Sequence, residues 1–233
     1  MSKLLVALLL VSAALVFTHG RLWTLPDRHN PWAPLAIDEP PGWLTRHKLA
    51  RLDTEPEACR ALLATAALRT TPLPDRDART AGGTTCGLRN ALSVSRTRFA
   101  VNAPFVLSCR TAVALALWER HVVEPEASRL LAAPVRRLDH FGSYACRNVY
   151  GRATGRPSQH ATADALDVAG FVLTDGRRIT VARHWASDGP ESRFLHAVHA
   201  GACRFFDGVL GPAYNAAHAD HLHLDRGPYR VCR

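Results

Sequence analysis

The sequence predicts an α+β protein rich in pinned loops, and three observations lead there. Glycine and proline each occur fifteen times, which disfavours a helical bundle or a coiled coil. Apolar residues suit helices over about 56–68 and 105–123, whereas Ala165-Leu166-Asp167-Val168-Ala169 alternates as a strand does. With 233 residues and a hydrophobic fraction of 47%, the chain can bury a core as one ordinary domain plus an N-terminal appendage.

Residues 4 to 17, LLVALLLVSAALVF, form an apolar run interrupted only by Ser12 and preceded by Lys3, the layout of an export signal. The run is shorter than a comfortable membrane span, and Thr18 and Gly20 are the best small residues for cleavage. Residues 1–20 are therefore read as a signal peptide or an N-terminal membrane anchor. Residues 21–50 form a Pro/Trp-rich arm, with five prolines and three tryptophans between 21 and 45. Trp23, Trp32 and Trp43 either lay this arm on the domain, or the arm spaces the domain from the membrane. Residues 51–233 make the single domain.

Within it, Pro56 opens the first helix beside Glu55 and Glu57, burying Leu62, Leu63 and Leu68. Pro72, Pro74 and Gly82-Gly83 break the pattern. The helix over about 105–123 packs through Val106, Val113, Ala116 and Leu117. Val135 and Leu138 mark a short strand. At 165–169, Leu166 and Val168 share one face and Asp167 takes the other. Arg178 to Val181 returns as a hairpin across Asp175-Gly176. A helix near 190–204 and a final strand at His221 to Leu224 follow.

The formal charge is +9, and Lys3 and Lys48 are the only lysines among 29 basic residues, leaving 27 arginines. Such a surface gathers anionic polymers: peptidoglycan, anionic lipid headgroups or nucleic acid. The arginines are scattered and no aromatic-basic motif accompanies them, so no nucleic-acid partner is expected. Six cysteines, Cys59, Cys86, Cys109, Cys146, Cys203 and Cys232, lie beyond the apolar run. None forms a C-x-x-C pair, which argues against a cysteine zinc site; export and the even count predict three disulfides among about fifteen possible pairings.

Two segments carry chemistry. Ser158 to Asp167, SQHATADALD, places His160 at the end of a loop and Asp167 seven residues later on a strand. His218 to His223, HADHLH, places His221 and His223 on one strand face, so that one can bind a metal while the other touches its water. A His, an Asp and a second His leave a fourth position for water, as in a catalytic zinc site. No G-x-S-x-G, P-loop or H-E-x-x-H motif competes.

The joint pattern S-x-H-x-x-(G/A)-x-A-x-D followed by H-x-H resembles the zinc peptidases that group lysostaphin-type endopeptidases, D-Ala-D-Ala carboxypeptidases and Hedgehog domains. From about residue 30 onward, WAPLAIDEPPGWLTRHKLARL, YACRN, SQHATADALDVAGF and HADHLHLD resemble the bacterial extensin-like C-terminal domain family. That resemblance implies a small antiparallel sheet flanked by helices, with Zn²⁺ held by His160, Asp167 and His223. Ala163 stands where much of the superfamily has glycine, so its backbone must accept a Cβ. Asp220 occupies the spacing of the carboxypeptidase glutamate base, but alternation turns it away from His223; His221 is the favoured general base and Asp220 the second. Arg147 resembles an arginine that meets a substrate carboxylate or an oxyanion. His196 and His199 read as surface residues, His184 with Trp185 as a possible groove border, and His218 as a cleft residue or a partner behind the ligands.

The function expected is an exported zinc peptidase, endopeptidase or carboxypeptidase, cleaving peptidoglycan stem peptides or cross-links. The chain would be monomeric, and periplasmic or held at the inner membrane through residues 4–17. The alternative is a non-hydrolytic, zinc-stabilised domain that binds cell wall or protein.

Overall fold

The structure, a computed structural model, describes residues 3–20, 24–80 and 83–233. Helix α1 (Lys3–Thr18) is exposed from residue 3 to residue 16. Among the described residues no helix is long and apolar enough to cross a membrane. The arm docks through Ala33, Leu35, Ile37 and Leu44, and Lys48 Nζ donates to the Asp27 carbonyl at 2.8 Å. Trp32 and Trp43 instead remain 80% and 75% exposed, so these two tryptophans do not hold the arm down. Trp23 and Gly82 lie outside the described residues.

Helices α2 (Thr45–Arg51) and α3 (Pro56–Thr65) follow, α3 with proline at its first turn. It ends before residue 68 because Ala66 turns to extended backbone. The next segment, for which the sequence predicts no element before residue 105, forms β1 (Arg69–Pro72), β2 (Arg76–Arg79), β3 (Thr85–Leu88), β4 (Ala91–Arg96), β5 (Ala100–Val101) and β6 (Phe105–Ser108). Strands β1, β4 and β6 make one antiparallel sheet, and β2 pairs β3.

The helix expected from 105 therefore begins later, as α4 (Cys109–Trp118). Phe105, Val106 and Leu107 are apolar and pair with β4, while the Ser108 side chain accepts from Thr111 N and caps the helix. Nine of its ten residues are buried, consistent with an almost uniformly apolar sequence. A π-helical stretch, Glu119–Val123, passes into α5 (Glu124–Leu131).

Strands β7 (Val135–Gly142), β8 (Ala165–Leu173) and β9 (Arg178–Thr180) precede α6 (Val181–His184) and α7 (Pro190–Ala202); β10 (Gly208–Leu210), β11 (Leu222–Asp225) and β12 (Val231–Cys232) end the chain. The larger sheet runs β12-β10-β11-β8-β7-β5, with β9 also on β8. Most of its pairs are antiparallel, with short parallel pairs at β10–β12 and β5–β7. One edge of β8 thus meets β11 through Ala165–Val168 and β9 through Gly170–Val172. The fold is α+β, as the sequence predicts, with small antiparallel sheets and helices.

Leu166 and Val168 enter a core that also holds Trp118, Phe171, Phe194 and Phe206. Trp118 Nε1 donates to the Val198 carbonyl at 2.9 Å, satisfying its polar atom inside that core. Disulfides join Cys59 to Cys109, Cys86 to Cys146 and Cys203 to Cys232. They tie α3 to α4, β3 to the loop after β7, and the end of α7 to β12.

Candidate metal centre

The register of two strands builds the site. On β8 and β11, Asp167 and His223 are direct cross-strand neighbours, so they share a face. His160 arrives from the one-turn helix Gln159–Thr162, which Ser158 caps by accepting from His160 N. That turn closes at Ala163, at φ 57 and ψ 29, the left-handed conformation that glycine adopts more easily. The departure noted in the sequence therefore falls on a residue that carries strain, although Ala163 is wholly buried beside Leu88 and Ala91.

Asp164 locks this turn to the start of α4. Its Oδ1 accepts from Ser108 Oγ at 2.5 Å, Arg110 Nε at 2.9 Å and Thr111 Oγ1 at 3.2 Å, and its Oδ2 from Thr162 Oγ1 at 2.8 Å.

Three ligand atoms converge. His160 Nε2 lies 3.2 Å from Asp167 Oδ2 and 3.2 Å from His223 Nδ1, and His223 Nδ1 lies 2.9 Å from Asp167 Oδ1. Ligand atoms held 2.0–2.1 Å from a tetrahedral ion sit about 3.3 Å apart, so shifts of a few tenths of an ångström fit this set to Zn²⁺. The imidazoles are also oriented from behind. His160 Nδ1–H donates to the Ser143 carbonyl at 2.6 Å, which turns Nε2 toward Asp167, and His223 Nε2–H donates to Asp225 Oδ2 at 2.9 Å, which turns Nδ1 toward Asp167. Metal-binding histidines are commonly oriented in this way.

The electrostatics match a site that attracts a cation. Burial pushes the Asp167 carboxyl upward, but hydrogen bonds and charge from His160 and His223 outweigh it and hold the group well below the usual carboxylate range. Burial would lower His223; its bonds to Asp167 and Asp225 prevail and raise it to about 9. Burial, aided by His223 and His221, lowers His218 to about 4, so that imidazole is neutral at pH 7.

These residues floor a cleft of about 440 Å³ whose walls include Arg147, Tyr150, Tyr214, His218 and His221. His221 precedes β11 rather than lying in it, yet its Nε2 comes within 3.5 Å of Asp167 Oδ1. Its Nδ1–H donates to Asp220 Oδ1 at 2.9 Å. Asp220 itself is exposed and lies outside the cleft wall. Arg147 is exposed on the wall, and among the described residues no carboxylate pairs with it. His218 Nδ1–H donates to Asn215 Oδ1 at 2.7 Å. His184 sits against Thr180 and borders no part of the cleft, while His196 and His199 pack on Trp185 with ring centroids 4.0 and 5.4 Å away.

Sequence reasoning missed Asp225, Asn215 and Tyr150. Asp225 had a readable signal, two residues beyond His223 on the same strand face. Tyr150 had none, since its φ of 57 and the bond its hydroxyl accepts from Asn215 Nδ2 at 3.0 Å exist only in the folded chain. Asn215 thereby joins the two banks of the cleft.

A family model described as the extensin-like protein C-terminus matches residues 57–233. The chain belongs to this family. In this extensin-like chain the match takes in all three converging ligands, His221, Arg147 and the six cysteines. No curated protein and no solved structure matches the chain.

Proposed function

We propose that this extensin-like protein is a zinc-dependent peptidase of the lysostaphin, D-Ala-D-Ala peptidase and Hedgehog group, exported to act on peptidoglycan stem peptides or cross-links. The observation that carries the reading is the meeting of His160, Asp167 and His223, whose ligand atoms lie within 4.8 Å of one another, beneath an open cleft with a third histidine, His221, beside them. When bound there, a zinc ion would supply a water of lowered pKa and polarise the scissile carbonyl.

The chain's own residues would do the rest. The Ser143 carbonyl and Asp225 hold the two ligand imidazoles in one tautomer. His221, with Asp220 on Nδ1, uses Nε2 to accept the proton of the attacking water and deliver it to the departing amine. Arg147 would take a substrate carboxylate, and stem peptides present such groups. The apolar N-terminal helix and three disulfides support export into an oxidising compartment, periplasmic or at the inner-membrane face.

Metal analysis of the purified protein should find about one zinc per chain, and mass spectrometry should find muropeptide fragments released from sacculi. His221→Ala should keep the metal and lose release. If chelation leaves release unchanged, the mechanism fails. If neither wild type nor His221→Ala releases fragments while both bind sacculi, the protein is a wall-binding module instead.

A further inference from the structure

The carboxylate of Asp225 stands in a recess that the fold keeps clear for it. On the sheet, Asp225 has Ala165 of β8 as one cross-strand neighbour and Gly208 of β10 as the other. A Cβ added at Gly208 would lie 2.2 Å from Asp225 Oδ2 and 2.7 Å from Oδ1, so no larger residue leaves the carboxylate where it is. Gly227 closes the third side. Its N–H donates to Asp225 Oδ1 at 2.7 Å, and a Cβ there would come within 2.8 Å of the same oxygen. One oxygen is thus fixed by the backbone while the other is aimed at His223 Nε2, 2.9 Å away.

We propose that Asp225 is a positioning residue that selects Nδ1 of His223 as its metal-binding atom, and that Gly208 exists to admit it. An imidazole can present either nitrogen to a metal, and the one it presents is set by the hydrogen bond the other makes. Here Asp225 engages Nε2, so Nδ1 is left facing Asp167 and His160. The opposite ring face would move the ligand atom away from both.

This inference rests on the proposed metal site, and metal affinity separates the two. Competition with a chromogenic chelator should show Asp225→Ala binding zinc 10- to 100-fold more weakly than wild type, the range for losing such a partner. Asp225→Asn keeps an oxygen acceptor for Nε2–H and should lose less. Gly208→Ala should weaken binding as Asp225→Ala does, and the double variant should be no weaker than either single one, because both act on one carboxylate. Nitrogen-15 spectra of the His223 ring supply a readout that general loosening would not move: the Nε2–H signal should persist in zinc-loaded wild type and Asp225→Asn, and Nδ1–H should gain in metal-free Asp225→Ala. If folded Asp225→Ala binds zinc within twofold of wild type, or if the two substitutions add, the assignment is wrong while the metal site stands. If wild type binds no zinc, the metal site falls as well.

Discussion

Replacing Asp164 by alanine should destabilise the metal-free protein by about 3 kcal/mol. Its carboxylate is buried and accepts four hydrogen bonds, from Ser108, Arg110, Thr111 and Thr162. Hydrogen bonds to a charged group contribute about 1.5–3 kcal/mol each, but the four cannot simply be summed. Ser108 and Thr111 can still bond each other at 2.8 Å, Thr162 can donate to the Gln159 carbonyl at 3.3 Å, and Arg110 keeps Asp53 at 2.8 Å. What is lost is the shared acceptor and its ion pair with a half-buried guanidinium, comparable to the lower end of about 3–5 kcal/mol for breaking a buried pair. For a chain of this size that corresponds to a melting temperature lower by roughly 6–12 °C. Urea denaturation in chelator isolates the effect from metal loss, and Asp164→Asn, which retains one acceptor oxygen, should recover about half of it. Asp53→Ala, at the exposed end of the same arginine, should cost about 0.5–1 kcal/mol. A loss under about 1 kcal/mol for Asp164→Ala would refute the claim that this side chain pins the turn that carries His160.

Three further outcomes follow from the packing. Burial raises Glu119 to about 8, against weaker opposition from Thr97 and the Arg98 backbone; the unfolded group ionises near about 4.3. Since the folded state keeps the proton longer, stability contributed by the neutral form is complete below the unfolded value and is lost as pH rises toward 8. Glu119→Gln should therefore stabilise the chain increasingly between those limits, and a flat difference in melting temperature across pH would contradict this. Removing the Cys59–Cys109 bridge by paired serine substitution opens a loop spanning 50 residues, for which chain entropy gives about 4 kcal/mol; urea titration of the variant should find a loss of that order. Gly170→Ala places a Cβ 2.1 Å from the Ile179 carbonyl oxygen, so β9 must shift, and amide exchange in Arg178–Thr180 should accelerate while that of β11 stays slow.

Much of this was legible before folding because it is local. Pro56, the Asp175-Gly176 turn and the alternation at 165–169 each act within a few residues, and the corresponding helix, hairpin and strand form where read, the helix ending at Thr65 and the strand running on to Leu173. The error at 105 arose where an apolar run crosses from strand to helix. Periodicity cannot divide Phe105-Val106-Leu107 from the helix behind it, and only pairing with β4 does so. The cap Ser108 was a readable mark that went unused. Strands β1 to β4 were missed because they are short, β1 and β2 are mostly exposed, and Pro72, Pro74 and Gly83 interrupt any alternation, although β1 pairs with β4 and β2 with β3. The disulfide pairing likewise depends on distances no spacing encodes. In the site, residue types together with the family resemblance pointed to the three residues that meet, whereas the bonds behind them, from Ser143 and Asp225, required the third dimension.

The placement of Asp167 between Leu166 and Val168 has a wider consequence. Sliding β8 by a single residue would drive a carboxylate into the oily interior and push two aliphatic side chains into water. Misthreaded chains are thus rejected by hydrophobicity before chemistry is tested, and any copy that folds already presents the Asp167 carboxylate to the cleft.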